Sequence, residues 1–567
     1  MATEVISEQI FALSVPTSSK DDDHSSPMPS SHLGHPTQTF ELDNNLIDRP
    51  LSTTGGATAE DETNYPTGIR FWLIMLCNVL VLVLIGLDGN IISTAVPSIT
   101  DEFHTVADVG WYSSAFRLCA CSFAFMFGKM YTLFPLRPIF LTSIAVFMCG
   151  SLLGATAPSS SVFVISRAVC GLGTAGAIQG CFYMLVHIVP LRKRPLVTGA
   201  MGSMECVAIV AAPSIGGLIL SGLSWRWCFW INLPTGALAF IVNAFALKLD
   251  QKDQPRLAWR QKIVQLDLLG NALFIPALTS LFLALSWAGT TYAWTSGTVI
   301  GLFVTFAVLV AVFGYDQFRR GDQATLPPRI LTNRSVMAGF VFSACTNSAL
   351  SVFEYYLPTY FQSIRSYTPA ESGYMMLPVL IGFLIGTAAQ GAGVSAVGYY
   401  VPFMLFASTA MPISAGLITT FTMSTSVAKM VVYTLAMGFA GGIGLQAPQS
   451  AVQTVLPEKD ASVGLAIIVF AQSFGPAVFI AIAQTIFLNR LSENLRVLVP
   501  GLSPDVVNKM GLTDLKSLVG DANLERALGL FDQSLTQTWN LAVGLTCVTM
   551  VGSLGMEWRS VKDKKRD

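Results

Sequence analysis

From Phe71 onward the chain is a succession of apolar runs, most of them about 20 residues long, the length of helix that crosses ~30 Å of hydrocarbon. Lipid offers no partner to backbone N–H and C=O groups, so such segments must satisfy them within a helix. Fourteen runs are expected to span, near 71–95, 108–128, 138–157, 162–187, 195–222, 226–247, 266–288, 296–316, 335–361, 371–392, 399–421, 428–447, 461–488 and 534–556. Polar stretches at 248–265 and 317–334 divide them into six, two and six. Only 12% of residues are charged and 52% are hydrophobic, against about 25% charged in soluble domains. The expected fold class is an all-α polytopic membrane protein.

Lys and Arg set the orientation. With the N-terminus inside, the inner loops and tail hold Lys129, Arg137, Arg192, Lys193, Arg194, Lys248, Arg260, Arg319, Arg320, Arg329, Arg334, Lys459 and Lys562, among others. The short outer loops hold Arg226, Arg365 and Lys429. This bias predicts that both termini are cytoplasmic. Residues 1–68, rich in Ser, Thr, Pro and Asp, read as a disordered cytoplasmic tail, and 558–567 as a second one. The one long outer loop, 489–533, is Leu-rich in patches and reads as short amphipathic helices lying on the outer face. The sequon at Asn333 falls on the inner side, where glycosylation is not expected. All ten cysteines lie in or beside apolar runs without zinc-site spacing, so they read as small buried hydrophobes. No metal or cofactor is expected, and a net charge of −1 gives no hint of a nucleic-acid partner.

Five ionisable residues break the apolar runs. With ~1.5 Å of rise per residue, Asp88, nine residues before Pro97, lies roughly 14 Å deep. Arg117, nine residues after Asp108, and Arg167, nine after Pro158, fall at similar depth from the same side. Glu354 lies eight residues before Gln362, and Glu205 ten beyond Pro195. Charges at such depth must be paired or wet, and a set of five on five spans points to a substrate and proton pathway. Asp88 and Arg117, on adjacent antiparallel spans, are expected to pair, which leaves Glu205 or Glu354 as the better proton carrier. Asn78, Asn90, Gln179, Asn347, Gln472 and Gln484 supply polar partners in the same spans.

Two motifs are decoys. Gly171-Leu-Gly173-Thr-Ala-Gly176 matches a dinucleotide-binding pattern but lies within an apolar run with no strand before it, so close helix contact is its better reading. Gly128-Lys129-Met130 lacks the upstream Gly and the Ser/Thr of a phosphate-binding loop, so ATP hydrolysis is not expected to drive the chain.

Leu87-Asp88-Gly-Asn-Ile-Ile-Ser-Thr-Ala95-Val-Pro97, Arg167-Ala-Val-Cys-Gly171-Leu-Gly173, Ala212-Pro213-Ser-Ile-Gly216-Gly217 and Trp225-Arg-Trp-Cys-Phe-Trp-Ile-Asn232-Leu-Pro234-Thr-Gly236 together carry a resemblance. Tyr355-Tyr-Leu-Pro358-Thr-Tyr-Phe-Gln362 and Gln446-Ala-Pro448-Gln extend it into the second half. Over 71–556 the chain resembles fungal major facilitator superfamily transporters of the fourteen-span drug:proton antiporter family. The resemblance implies two six-helix bundles, 69–247 and 335–557, with two inserted helices in 248–334. It implies proton coupling through the Arg of motif B, here Arg167, and an antiporter motif C around Pro213, Gly216 and Gly217. Gly128 and Arg137 stand in motif A, which here has Thr132 for Asp and Pro135 for Gly; Ala208, Ala212 and Cys170 also depart from the family's patterns. Arg117 stands where an apolar residue is usual. The implied function is proton-coupled efflux of a small organic compound by a monomer in the plasma membrane. A vacuolar or uptake transporter, of a siderophore or basic amino acid for example, and a non-transporting sensor are the alternatives.

Overall fold

The computed structural model describes residues 68–104, 108–247, 258–288, 292–495 and 524–562. The expected N-terminal tail up to residue 67, the middle of the 489–533 loop and the last five residues lie outside the described residues.

The described chain is helical throughout. In order come α1 (Ile69–Phe103), α2 (Val109–Ser122), α3 (Ala124–Leu133), α4 (Leu136–Ala155), α5 (Ser160–Ile188), α6 (Arg194–Gly222), α7 (Trp227–Trp230) and α8 (Asn232–Ala246). Then follow α9 (Trp259–Gln265), α10 (Leu268–Trp287), α11 (Gly297–Arg320), α12 (Pro328–Leu331), α13 (Arg334–Ser363) and α14 (Pro369–Val397). Last are α15 (Val401–Ile418), α16 (Val427–Leu445), α17 (Ala447–Val455), α18 (Glu458–Leu495) and α19 (Leu524–Gly555). Among the described residues, thirteen segments are long and apolar enough to cross a membrane. The fourteenth expected span is the α2–α3 rod, broken only at Phe123. There Phe123 N–H still donates to Cys119 O (3.1 Å) and Phe127 N–H to Phe123 O (3.1 Å), so the helical ladder runs through the junction.

Span edges differ from expectation where helices outrun the apolar stretch. α1 continues past Pro97 to Phe103. The described ends of the 489–533 loop are not separate surface helices: they prolong α18 to Leu495 and begin α19 at Leu524. Leu491, Leu495, Ala527 and Phe531 are buried with Trp539 in one apolar cluster, which holds the two extensions upright. Asn333, the sequon residue, caps α13, its side chain accepting from Ser335 N–H (3.0 Å) and Val336 N–H (3.3 Å). The cysteines are all free; most are buried or half-buried, but Cys149 and Cys547 are exposed on the helices' outer faces and do not fit the expected burial.

Small residues set the helix crossings. A Cβ at Gly171 would stand 2.2 Å from Phe116 O on α2, one at Gly173 2.4 Å from Phe147 N on α4, and one at Gly176 2.1 Å from Ser143 Oγ. The dinucleotide-like motif is therefore a packing face for α2 and α4. Of the paired glycines on α6, Gly216 meets α1, where an added Cβ would come within 2.2 Å of Thr94 Oγ1, whereas Gly217 faces open space. Only Gly216 of the two makes a close helix contact. Gly171→Val should push α2 off α5, since a backbone carbonyl cannot rotate away, and cost about 1–3 kcal/mol or more of stability. Gly217→Val should leave stability nearly unchanged; thermal unfolding of the two variants in one detergent checks the contrast.

The end of the molecule where α1 begins is here the near end. There the first bundle (α1–α8) touches the second (α13–α19). α3 packs along α18, where Ser462 Oγ donates to Gly128 O (2.8 Å) and Ala466 Cβ comes within 2.7 Å of where a Gly128 Cβ would be. α6 packs along α14, with Gly199 against Thr387 O and Gly391 against Pro195 O. The rings of Phe125, Phe274 and Phe470 join α3, α10 and α18.

Candidate functional site

Asp88 is wholly buried in the first bundle, and its partner is Arg167. The ion pair is 2.7 Å long, with side-chain exposures of 1% for Arg167 and 0% for Asp88. Arg167 Nε donates to Tyr112 O (3.1 Å) and Nη2 to Asp88 O (3.4 Å), while its guanidinium lies over the Phe116 ring at 4.5 Å and near Phe229 at 5.7 Å. Asn232 Nδ2 donates to the other Asp88 oxygen (2.7 Å) and to Ser151 Oγ (3.2 Å). Five helices, α1, α2, α4, α5 and α8, are thereby fastened around one carboxylate. A buried ion pair is tolerated when its polar atoms find further partners, and each guanidinium nitrogen and carboxylate oxygen here has a hydrogen bond.

The expected Asp88–Arg117 pair is not formed. Depth alone could not separate Arg117 from Arg167; rotation about the helix axis does. Phe116 turns towards α5 and covers Arg167, and its neighbour Arg117 stands about 100° further round α2, away from Asp88. Arg117 is accessible, and its charge acts on Glu354 of the opposite bundle as well as on Arg167. Glu354 is accessible on α13, on the face that also carries Asn347 and Ser351. Glu205 on α6 is half-buried, and Cys206 beside it is within electrostatic reach of both Glu205 and Glu354. No hydrogen bond or ion pair holds Arg117, Glu205 or Glu354 among the described residues. Two accessible charges, Arg117 and Glu354, thus act on each other across the bundles, and half-buried Glu205 stands beside Cys206, which both Glu205 and Glu354 reach, while Arg167 and Asp88 are locked together nearby.

Two of the expected amide partners bond within their own helices and two reach neighbouring ones. Asn90 Nδ2 donates to Gly86 O and Asn347 Nδ2 to Ser343 O, each one turn back. Gln472 links Leu445 O to Gln449, and Asn78 Nδ2 reaches Met184 Sδ. Asn232, which enters the sequence reading only within a motif, is the amide that touches Asp88.

A second charged cluster sits at the near end and is invisible to a search for charges within apolar runs. Lys129 Nζ on α3 donates to Asp322 O (3.2 Å) and Ala324 O (2.9 Å). Asp267 accepts from Gly270 N–H, Gln317 Nε2, Thr325 N–H and Thr325 Oγ1, all within 2.6–3.1 Å. Arg329 forks onto Asp460 (2.5 and 2.8 Å) and reaches Asp322 (2.6 Å). Arg137, the expected motif A cation, instead donates to Ala244 O within the first bundle.

Comparison with known proteins decides the family. A model of the Major Facilitator Superfamily matches residues 79–480. The chain belongs to the major facilitator superfamily. It is similar to "MFS-type efflux pump MFS1" of Arthroderma benhamiae, 41% identical over 93% of this chain and 98% of that one. "Efflux pump aflT" of Aspergillus parasiticus is 37% identical over 89% of this chain and 99% of that one. Among solved structures, the proton:xylose symporter XylE superposes with a TM-score of 0.52 at 15% identity, covering 81% of this chain and 98% of that one, which concerns the fold alone. Membership makes the chain a multi-pass membrane transporter.

Proposed function

We propose that this chain exports a small organic compound in exchange for protons, by alternating access. The observation that carries the reading is the placement of Glu205 and Glu354. Glu354 is accessible and Glu205 half-buried, and neither has a hydrogen bond or ion pair among the described residues, while Asp88, paired with Arg167, is sealed. A carboxylate free of a fixed counter-charge can take up a proton from one side and release it to the other. Asp88 and Arg167 then hold the first bundle rigid as it rocks against the second. Arg117, with no hydrogen-bond partner among the described residues, is the group available to an acceptor oxygen on the substrate.

The compartments follow from the basic bias. The near end faces the cytoplasm with both termini, and the accessible space opens outwards in this conformation. The relatives named as efflux pumps support export across the plasma membrane over vacuolar or uptake transport. The working unit is a monomer of two bundles, 69–247 and 335–557, with 248–334 between them. Paired profiling of medium and cytosol from cells with and without the protein tests export. Its loss should move at least one organic compound from medium to cytosol. Profiles that do not differ, or a compound accumulating in the medium on loss, contradict the reading.

A further inference from the structure

The loop between α11 and α13, residues 321–327, is anchored to three separate bodies. Asp267 is buried at the start of α10 with a positive φ of 51°, and its oxygens fasten Thr325 while Gln317 of α11 fastens Leu326 N–H (2.8 Å). Those bonds hold the loop to the inserted helices. Arg329, just beyond it, bonds bidentately to Asp460 in the first turn of α18. That holds it to the second bundle, to which it is also joined by chain through α12. Lys129 comes from the other side: its ammonium, buried at 7% exposure, reaches two carbonyls of the loop from the first bundle. Asp267, Asp322 and Asp460 all act on the Lys129 charge.

These bonds differ in what they demand of motion. When α3 leaves α18, Arg329 and Asp460 can keep each other, because α12 leads directly into the second bundle that holds α18, and Asp267 can keep Gln317 and Thr325, which lie in its own inserted segment. Lys129 cannot. Its two hydrogen bonds and the surrounding negative charge are lost as the near end opens, and it must be rehydrated.

We propose that the 321–327 loop is the keeper of a latch whose bolt is Lys129, so that the two inserted helices hold the near end shut and favour the conformation seen here. The proposal rests on alternating access but on neither the substrate nor proton coupling. It gives the inserted pair a task that a spacer between bundles would not have. Losing both hydrogen bonds of the buried ammonium should shift the balance of conformations by at least about tenfold, or about 1.4 kcal/mol.

The test reads conformation directly, by maleimide labelling followed by mass spectrometry at two introduced cysteines in the full chain. Ser462→Cys reports the near end, where Ser462 is buried against Gly128. Ser113→Cys reports the accessible space, one turn of α2 beyond Arg117. Lys129→Gln should raise labelling at position 462 by up to about tenfold and lower it at 113 by the share of molecules that leaves this conformation, and Lys129→Arg should restore much of the original pattern. Arg329→Gln, a change at a half-exposed side chain, should move both readings in the same directions and serves if Lys129→Gln does not fold. General loosening of the fold would raise labelling at both positions. Labelling that rises at both, or changes at neither, overturns the proposal.

Discussion

Replacing Arg167 with glutamine is expected to reduce the yield of folded protein to a small fraction of normal. The change leaves Asp88 buried at 0% exposure with a negative charge and only Asn232 to hold it. Removing one partner of a buried pair costs about 3–5 kcal/mol, against a total stability of about 5–15 kcal/mol for a folded domain. Asp88→Asn should be nearly as harmful, since it strands the guanidinium against Phe116 and Phe229. The double change, Asp88→Asn with Arg167→Gln, should recover much of the yield, because neither charge then remains. Thermal unfolding and size-exclusion profiles of the three variants complete the cycle. Strict additivity of two severe defects would mean that the 2.7 Å contact contributes no coupling. Asp88→Asn with Arg117→Gln should show no such recovery, because that pair does not exist here.

Glu354→Gln should behave in the opposite way, folding normally and failing to couple. The side chain is accessible and makes no hydrogen bond among the described residues, so the amide strands no partner. What it removes is the ability to change charge. Accumulation driven by a pH gradient should fall to the level of empty vesicles, while exchange of labelled for unlabelled substrate, which needs no net proton movement, should persist. Glu205→Gln asks the same question of α6; if only one of the two abolishes coupling, that carboxylate is the carrier. A loss of both activities in Glu354→Gln, with normal folding, would place Glu354 in substrate binding instead.

The architecture was legible because lipid leaves a chain so few choices. Run length, the two polar dividers and the glycine pattern on α5 each had one physical reading, and the family followed from motifs around Asp88, Arg167 and Asn232. The α2–α3 junction at Phe123 was not legible, as its residues are as apolar as their neighbours. Nor was the partner of Asp88: counting residues gives depth, but choosing between two arginines at one depth needs the direction of each side chain. Phe116 settled it, and an aromatic beside Arg117 carries no such message in sequence. The near-end cluster was hidden for another reason. Lys129, Asp322, Arg329 and Asp460 lie at helix ends and in a loop, where charge is ordinary and the basic members already have a reading in the orientation of the chain. Asp267 left a faint signal, an acidic residue three before Gly270 at the start of an apolar run, which is the pattern of a helix cap.

The central claim is that Glu354 and Glu205, with no hydrogen bond or ion pair among the described residues, couple export to protons. Its most direct test is uptake of the exported compound, identified by profiling, into inside-out vesicles made acidic within and supplied with no ATP. Wild-type protein should concentrate the compound until a protonophore collapses the gradient, and Glu354→Gln or Glu205→Gln should not. Concentration that survives the protonophore and requires ATP hydrolysis would contradict the account.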